Sequence, residues 1–311
     1  MSYHRAYQLI LDTDIELPEL PGADGSTAAQ VEIRLGEVDD DFDAPDYEQR
    51  EPDDNGERYI KIQDGRVLLH VDLVARYRVE GGNRITVDPH PAASQQEIRV
   101  FLLGTCLGAA LHQRGALVLH ASGIGHDKGA VLFTGRSGAG KSTLLSELLR
   151  RGFRMLVDDV CAIEISEAGP IVTPSYPRTR LWADSAAHLD VSTAGLSRTR
   201  ESMEKYERQL PDQFWSEPAP LRLIYHLAGP HSDGLGFTPL RPLEALPTLV
   251  ANTYRRFLLD ALDTRRAHFS LVSRLAAEVP VIRVTRPADG FSAVEMADRV
   301  VLDLSRLDDP C

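Results

Sequence analysis

Cysteine is scarce in this chain and scattered. Cys106, Cys161 and Cys311 are the three among 311 residues, and no C-x-x-C pair occurs. An odd, widely spaced set excludes a disulfide framework and gives no zinc-ligand spacing. Reduced thiols in a cytoplasm are the expectation. Long apolar runs are missing as well. Although 43% of the chain is hydrophobic, no run reaches the ~18–20 residues needed to cross a bilayer. Met1-Ser-Tyr-His-Arg5 lacks the basic-then-apolar pattern of a secretion signal. A cytoplasmic protein without a membrane partner is therefore expected. Positive charge is in deficit: 34 Lys and Arg stand against 46 Asp and Glu, a net charge of −12. A general nucleic-acid binder needs clustered cations to offset phosphates, so no nucleic-acid partner is expected. No internal repeat or low-complexity tract appears. The length allows a large core in one or two domains.

Against these absences stands one complete motif. Gly135-Arg-Ser-Gly-Ala-Gly-Lys-Ser142 fills the phosphate-loop pattern G-x-x-x-x-G-K-[ST]. Ala130–Thr134 before it reads as a buried strand, and Thr143–Arg150 after it reads as a helix with leucines on one face. Strand, glycine loop and helix N-terminus together form an anion trap. The nucleotide contacts are expected from Gly135, Arg136, Ser137, Gly138, Ala139, Gly140, Lys141, Ser142 and Thr143. Lys141 would reach the β/γ-phosphates of ATP, and the Ser142 hydroxyl would hold Mg²⁺. No Leu-Ser-Gly-Gly-Gln segment occurs, which argues against an ABC-type transport ATPase.

Gly152 is placed to end the helix. Phe153–Val157 reads as the next strand and delivers Asp158 and Asp159, the latter 18 residues after Lys141. Carboxylates at a strand end beside a phosphate loop can hold metal or act as a base on the attacking group. Upstream, Ala116–Gly123 reads as a strand carrying His120, 21 residues before Lys141. Pairing of Leu117–Ser122 with Ala130–Thr134 through a turn at Gly125–Gly129 would carry His120 towards the nucleotide. A structural histidine is the competing reading. Arg178 and Arg180, two apart on an expected strand, share a face and are candidates for stabilising a transferring phosphoryl group. Arg255, Arg256, Arg265 and Arg266 form a second basic set.

The run Leu119-His-Ala-Ser, the loop Gly135–Ser142 and Arg151-Gly-Phe-Arg-Met-Leu-Val-Asp-Asp159 together resemble the catalytic core of the HPr serine kinase family. The match covers about 45 residues, in fixed order and spacing. It implies an α/β (α+β) fold of the HPr kinase/PEP carboxykinase type, with a mixed-sheet P-loop domain over residues 94–311 and a small β-rich region over 1–93. It implies an ATP- and Mg²⁺-dependent serine kinase in which His120, Lys141, Asp158 and Asp159 are catalytic. Asp159 would accept the serine proton, and Ser142 with Asp158 would bind the metal. The flanks Tyr7–Asp12, Ile15–Leu20, Ile98–Gly104, Gln113–Gly115 and Tyr176–Trp182 resemble the HPr-kinase-like proteins of lasso-peptide biosynthesis. There the implied acceptor is a precursor peptide, modified on its C-terminal serine. The resemblance stops at two places. Thr143 stands where HPr kinases carry an acid, and no Glu-x-Arg-Gly-Leu-Gly segment occurs; Asp184 lies near the latter's acid in different surroundings. A phosphorylase activity, an HPr-like protein acceptor, a slow regulatory ATPase and a homo-oligomer all stay open at this point.

Elsewhere, strands are expected at Ala6–Leu11, Val31–Leu35, Tyr59–Gln63, Val67–Val71, Ala75–Val79, Ile85–Val87, Leu221–Leu227 and Val281–Thr285. Residues 37–57 hold eleven acids and one base and read as a solvated loop. Ser94-Gln-Gln-Glu97 reads as a capping box before one helix, Ile98–Gln113. Helices are also expected at Leu243–Leu262, Ala267–Glu278 and Ser292–Leu304, the last capped by Ser292. Thr193–Glu217, rich in both charges, reads as a solvated helix in preference to a mobile loop.

Overall fold

The structure is a computed structural model, and it describes residues 2–53, 56–183, 205–230, 234–287 and 292–308. Eight strands form the first sheet: β1 (Ser2–Ala6), β2 (Leu9–Thr13), β3 (Val31–Leu35), β4 (Tyr47–Asp53), β5 (Gly56–Gln63), β6 (Arg66–Val71), β7 (Ala75–Glu80) and β8 (Arg84–Pro89). Their order is β1-β2-β3-β8-β7-β6-β5-β4. β2, β3 and β8 run parallel, and the remaining neighbours are antiparallel hairpins. The expected single strand Ala6–Leu11 is two strands. Tyr7 and Gln8 both adopt positive φ, 52° and 61°, the backbone of a tight hairpin turn. Nothing in the residue types at that turn signals it.

The acidic segment also differs from a solvated loop. It contains β4, and Val38 and Phe42 bury against Tyr59 and Leu68. Asp40 pairs with Lys61 at 2.7 Å, and Asp41 pairs with Arg66 at 3.0 Å and Arg78 at 2.9 Å. Two apolar side chains anchor the run, and Lys61, Arg66 and Arg78 of the sheet pair with two of its acids.

One face of this sheet packs on a helix. The capping box of Ser94 and Glu97 is present. The helix is interrupted, however: α1 (Gln95–Phe101) and α2 (Leu107–Gln113) flank a π-helical turn at Leu102–Cys106. Ile98, Phe101, Leu102, Cys106 and Ala109 lie in one apolar cluster with Ile33, Tyr77 and Ile85. Fully burying such a side chain stabilises by about 1.5–3 kcal/mol.

The second sheet carries the phosphate loop. Its strands are β9 (Leu117–His126), β10 (Gly129–Thr134), β11 (Arg154–Val157), β12 (Val160–Ser166), β13 (Gly169–Val172), β16 (Ala219–Pro230), β17 (Gly236–Leu240) and β18 (Val281–Arg286), while β14 (Arg178–Trp182) and β15 (Lys205–Gln209) make a separate hairpin. Strand pairing runs β10-β9-β12-β13-β16, and β16 returns to pair in parallel with β10. β11 and β12 both lie along β9. Helices α3 (Lys141–Arg150) and α7 (Ala293–Ser305) pack against β10, β16 and β18 in one apolar cluster. A second cluster joins α4 (Pro242–Ala251) and α6 (Arg265–Glu278) to β9, β12 and β16. The architecture is mixed α/β (α+β).

Three expectations need correction here. Leu243–Leu262 is not one helix: α4 ends at Ala251, and the chain crosses β9 before α5 (Phe257–Ala261). Ser292 precedes α7, yet its side chain makes no capping bond. Residues 205–209 of the charged 193–217 segment are strand β15; Asp184, Arg198, Arg200, Glu201 and Glu204 lie outside the described residues, as does Cys311. Cys106 and Cys161 are buried free thiols. Among the described residues no helix is long and apolar enough to cross a membrane.

The segment between α4 and α5 is held by two histidines. His112 Nε2 lies 2.8 Å from the Tyr254 carbonyl, and His268 Nε2 lies 3.1 Å from Thr253 Oγ1. Burial lowers both imidazoles, and His268 falls from 6.5 to about 4, with His112 as a smaller cause. Below pH 6.5 the unfolded chain therefore takes up protons that the folded chain refuses. Stability is complete above pH 6.5 and declines as pH falls towards about 4. Melting curves across this range should show Tm falling with acidification, and His268→Gln should flatten that slope. A pH-independent Tm would contradict the account.

Candidate functional site

β10 runs straight into the loop. Gly135 has φ 144°, and a Cβ there would sit 2.5 Å from the Leu227 carbonyl oxygen. Gly140, at φ 98°, is the N-cap of α3 and supplies no side-chain cap bond. An N-terminus without a side-chain cap is the kind of helix end that suits an anion. Arg136, Ser137 and Gly138 are exposed at the tip, Ala139 is buried, and Gly140, Ser142 and Thr143 are half-buried. Lys141 is buried and curls back, its Nζ donating to the carbonyls of Gly135 at 2.7 Å and Arg136 at 3.1 Å.

The two acids occupy a break in strand pairing. β11 ends at Val157 opposite Gly123, and β12 resumes at Val160 opposite His120. Asp159, at φ 76°, turns the chain between them; Asp tolerates this left-handed region better than most residues. The turn sends the two carboxylates to different partners. Asp158 is buried. Its Oδ1 accepts from Ser122 at 2.6 Å, and its Oδ2 accepts from the Thr179 hydroxyl at 2.7 Å and the Arg180 N–H at 3.1 Å. Ser142 Oγ lies 3.5 Å from the same Oδ1. Asp159 is half-buried; its carboxylate lies 3.1 Å from His120 Nδ1 and 3.3 Å from Arg180 Nη1. His120 Nδ1 also lies 3.0 Å from the Asp159 carbonyl.

His120 arrives here by a different pairing from the one expected. β10 pairs with Ala121–His126, not with Leu117–Ser122, and His120 pairs with Val160. The register brings it beside Asp159. Of the two arginine candidates, only Arg180 reaches the acids. Arg178 is buried away from them, donating to Glu207 at 2.8 Å and to the Tyr176 hydroxyl at 3.1 Å. Arg180 bridges Glu207 and Asp159, both at 3.3 Å, and its buried Nη2 finds no partner among the described residues. A buried, unsatisfied guanidinium nitrogen beside two carboxylates suits an anionic ligand. The second basic set is not one cluster: Arg265 pairs with Asp260, whereas Arg255 hydrogen-bonds Thr105 at 3.2 Å.

Several residues escaped the sequence reading. Ser122 and Thr179 stand beside His120 and Arg180 in sequence, but their bonds to Asp158 depend on the fold. His226 lies opposite Thr134 in the parallel β10–β16 register, with Nδ1 3.3 Å from the Thr134 hydroxyl and 3.4 Å from the Asn252 amide nitrogen. Burial, then Arg283 and Lys141, lowers its pKa. Burial and the two nearby cations thus favour its neutral form. Asn252 also accepts from the His120 backbone at 2.8 Å. Tyr254 packs near His120 with ring centroids 6.3 Å apart, and burial, then Asp159, pushes its phenol up to about 12. No local pattern marks Asn252 or Tyr254, because they sit where one continuous helix was expected.

An all-protein metal cage is not built here: among the described residues no three His, Cys, Asp or Glu side chains converge for one. The oxygen donors of Ser142 and Asp158 fit Mg²⁺, which takes one or two protein ligands and completes its shell with phosphates and water.

No protein-family profile matches the chain, and no curated protein matches it. Among solved structures, the Hpr(Ser) kinase/phosphatase from Coxiella burnetii is similar at 15% identity and a TM-score of 0.34, over 61% of this chain and 90% of that one.

Replacing Lys141 by Ala should abolish tight ATP–Mg²⁺ binding, a loss of at least about 10-fold for a charged contact, while Tm stays close to that of the parent. Calorimetric titration and a melting curve check this. Undiminished nucleotide affinity in a folded Lys141→Ala protein would remove the loop as the nucleotide site.

Proposed function

We propose that the chain is an ATP-dependent kinase that phosphorylates a serine hydroxyl of a peptide. The observation that carries the reading is the separation of two adjacent carboxylates at the mouth of a phosphate loop. Asp158 is held by three donors and faces Ser142. Asp159 faces outward between His120 and Arg180. One acid is immobilised for a metal, and the other is open to an incoming hydroxyl.

In this reading Lys141 releases its own loop carbonyls and binds the β/γ-phosphates. Ser142 and Asp158 would hold Mg²⁺, which would supply charge neutralisation at the phosphates. Asp159 accepts the proton of the acceptor hydroxyl. His120 holds Asp159 in place, and Arg180 offers Nη2 to the equatorial oxygens of the transferring group, where charge spreads. Asp159 is thus the catalytic base, and His120 is a positioning residue.

The finer assignment, the C-terminal serine of a lasso-peptide precursor, rests on the flanking segments that resemble kinases of that biosynthesis. It puts the reaction in the cytoplasm, in keeping with two buried free thiols.

Incubation with ATP–Mg²⁺ and a serine-ended precursor peptide should add one phosphate, about 80 Da, to the peptide. Replacing that serine by alanine should abolish the adduct. Release of free phosphate with no labelled peptide or HPr-like protein would overturn the kinase reading.

The two acids should separate kinetically. Asp159→Asn keeps the shape and removes the base, so single-turnover transfer should fall by about 10²–10⁴ with nucleotide affinity little changed. Asp158→Asn should raise the Mg²⁺ concentration needed for half-maximal rate. Equal metal defects in both variants, without a separate loss of chemistry in Asp159→Asn, would refute the division.

A further inference from the structure

A cleft that the phosphate chemistry does not use is lined in part by Arg255, whose charge is coupled to that of Asp159. Gln49, Glu51, Arg58, Tyr59, Ile60 and Leu69 of the first sheet form one wall, and Thr105, Arg255 and Phe257 form the other. Three irregularities of the backbone build the second wall. The π-helical turn at Leu102–Cys106 contains Thr105; such turns are rare and recur at functional sites. Arg255 stands at φ 47°, a strained conformation for a long side chain and one that functional sites retain. The stretch Asn252–Tyr254 follows the end of α4 and runs along β9, with Tyr254 N–H bonding the Val118 carbonyl at 2.9 Å. It passes His120 and ends at Arg255, so Arg255 joins the cleft to the acids.

The charges of the cleft define its occupant. Glu51 supplies the carboxylate of the lining and is paired with Arg58. Gln49 braces Glu51, donating at 2.5 Å. Arg255, by contrast, hydrogen-bonds neutral hydroxyls, Thr105 Oγ1 at 3.2 Å and Tyr254. Although burial opposes its charge, Tyr254, Asp159 and Glu51 keep its pKa above the ordinary value. A half-buried guanidinium with neutral bonding partners, facing a partly apolar cleft next to the base, suits a carboxylate on a short peptide segment.

Building on the kinase reading, we propose that this cleft is the acceptor site and that Arg255, supported by Thr105, binds a carboxylate lying next to the serine to be phosphorylated. The carboxylate can be the chain terminus of a C-terminal serine, whose hydroxyl and carboxylate sit on neighbouring carbons. It can equally be an acidic side chain flanking an internal serine. Arg255 is then a specificity-determining residue.

The test uses the full chain and randomised octapeptides with serine last, made as free acid, as amide, and as amide with aspartate before the serine. Both phosphorylation and capture of each pool are measured. The parent should favour a carboxylate form over the plain amide by about 10- to 100-fold in kcat/KM, and the favoured form identifies the source. Arg255→Asn removes the charge while tolerating the left-handed backbone. It should reduce the preference to within about 3-fold, chiefly through KM, with ATP–Mg²⁺ affinity retained. If Arg255→Asn fails to fold, Arg255→Gln and Thr105→Val carry the same comparison. Equal use of all three pools by the parent, or an intact preference in a folded variant that lacks the Arg255 charge, overturns the proposal. If ATP binds but no pool is phosphorylated, capture separates the two ideas. A carboxylate preference lost in Arg255→Asn keeps the acceptor site and sinks the kinase reading; no preference sinks both.

Discussion

The buried carboxylate of Asp158 is the point on which the site depends. Its donors come from β9 (Ser122), from the Thr179 side chain and from the backbone of Arg180 on β14. An unpaired buried carboxylate is costly, and a carboxylate bonded by three donors is rigid. Satisfying it therefore draws the β14–β15 hairpin onto the strand end beside the phosphate loop. Arg180 is delivered to Asp159 by the same contact. A single polar centre thus aligns the loop serine, both acids and the arginine.

The break between β11 and β12 gives that centre its second role. Uninterrupted strand would alternate the two side chains to opposite faces of the sheet. The left-handed φ of Asp159 instead leaves both at one strand end with different surroundings, one enclosed and one open. Two like residues acquire two environments, and environment decides chemical role for carboxylates. The first sheet also closes on this region. Tyr7, in the β1–β2 turn, reaches the Val160 carbonyl at 3.4 Å, and its backbone N–H bonds Pro174 at 3.1 Å. The β-rich N-terminal part is therefore a separate sheet that touches the strand following the two acids.

Much of this was legible in residue order. Hydrophobic alternation located β3, β5, β6, β7 and β8, because half-buried strands repeat with period two. The phosphate loop and its helix were legible because a phosphate cradle needs glycines and a lysine at set spacing. Three features were hidden for identifiable reasons. The Tyr7–Gln8 turn uses residues that are not turn formers. The acidic run looked solvated because its cations, Lys61, Arg66 and Arg78, are distant in sequence. The stretch after Ala251 looked helical because its leucines and arginines suit a helix, whereas packing against β9 set its path.

The sequence by itself determined the half of the candidate site built from strand, glycine loop, lysine, serine and the acid pair, all within one local stretch of chain. Local chemistry suffices there, since a phosphate cradle is made of backbone N–H groups and a helix end. Only the tertiary structure decided which arginine serves the site. Arg178 and Arg180 have the same spacing, charge and strand face, yet one is enclosed with Tyr176 and the other meets Asp159. Only the tertiary structure brought Tyr254 and Arg255 within electrostatic reach of Asp159 and His226 beside Thr134, because strand register and a broken helix are settled by long-range packing and not by the residues on either side.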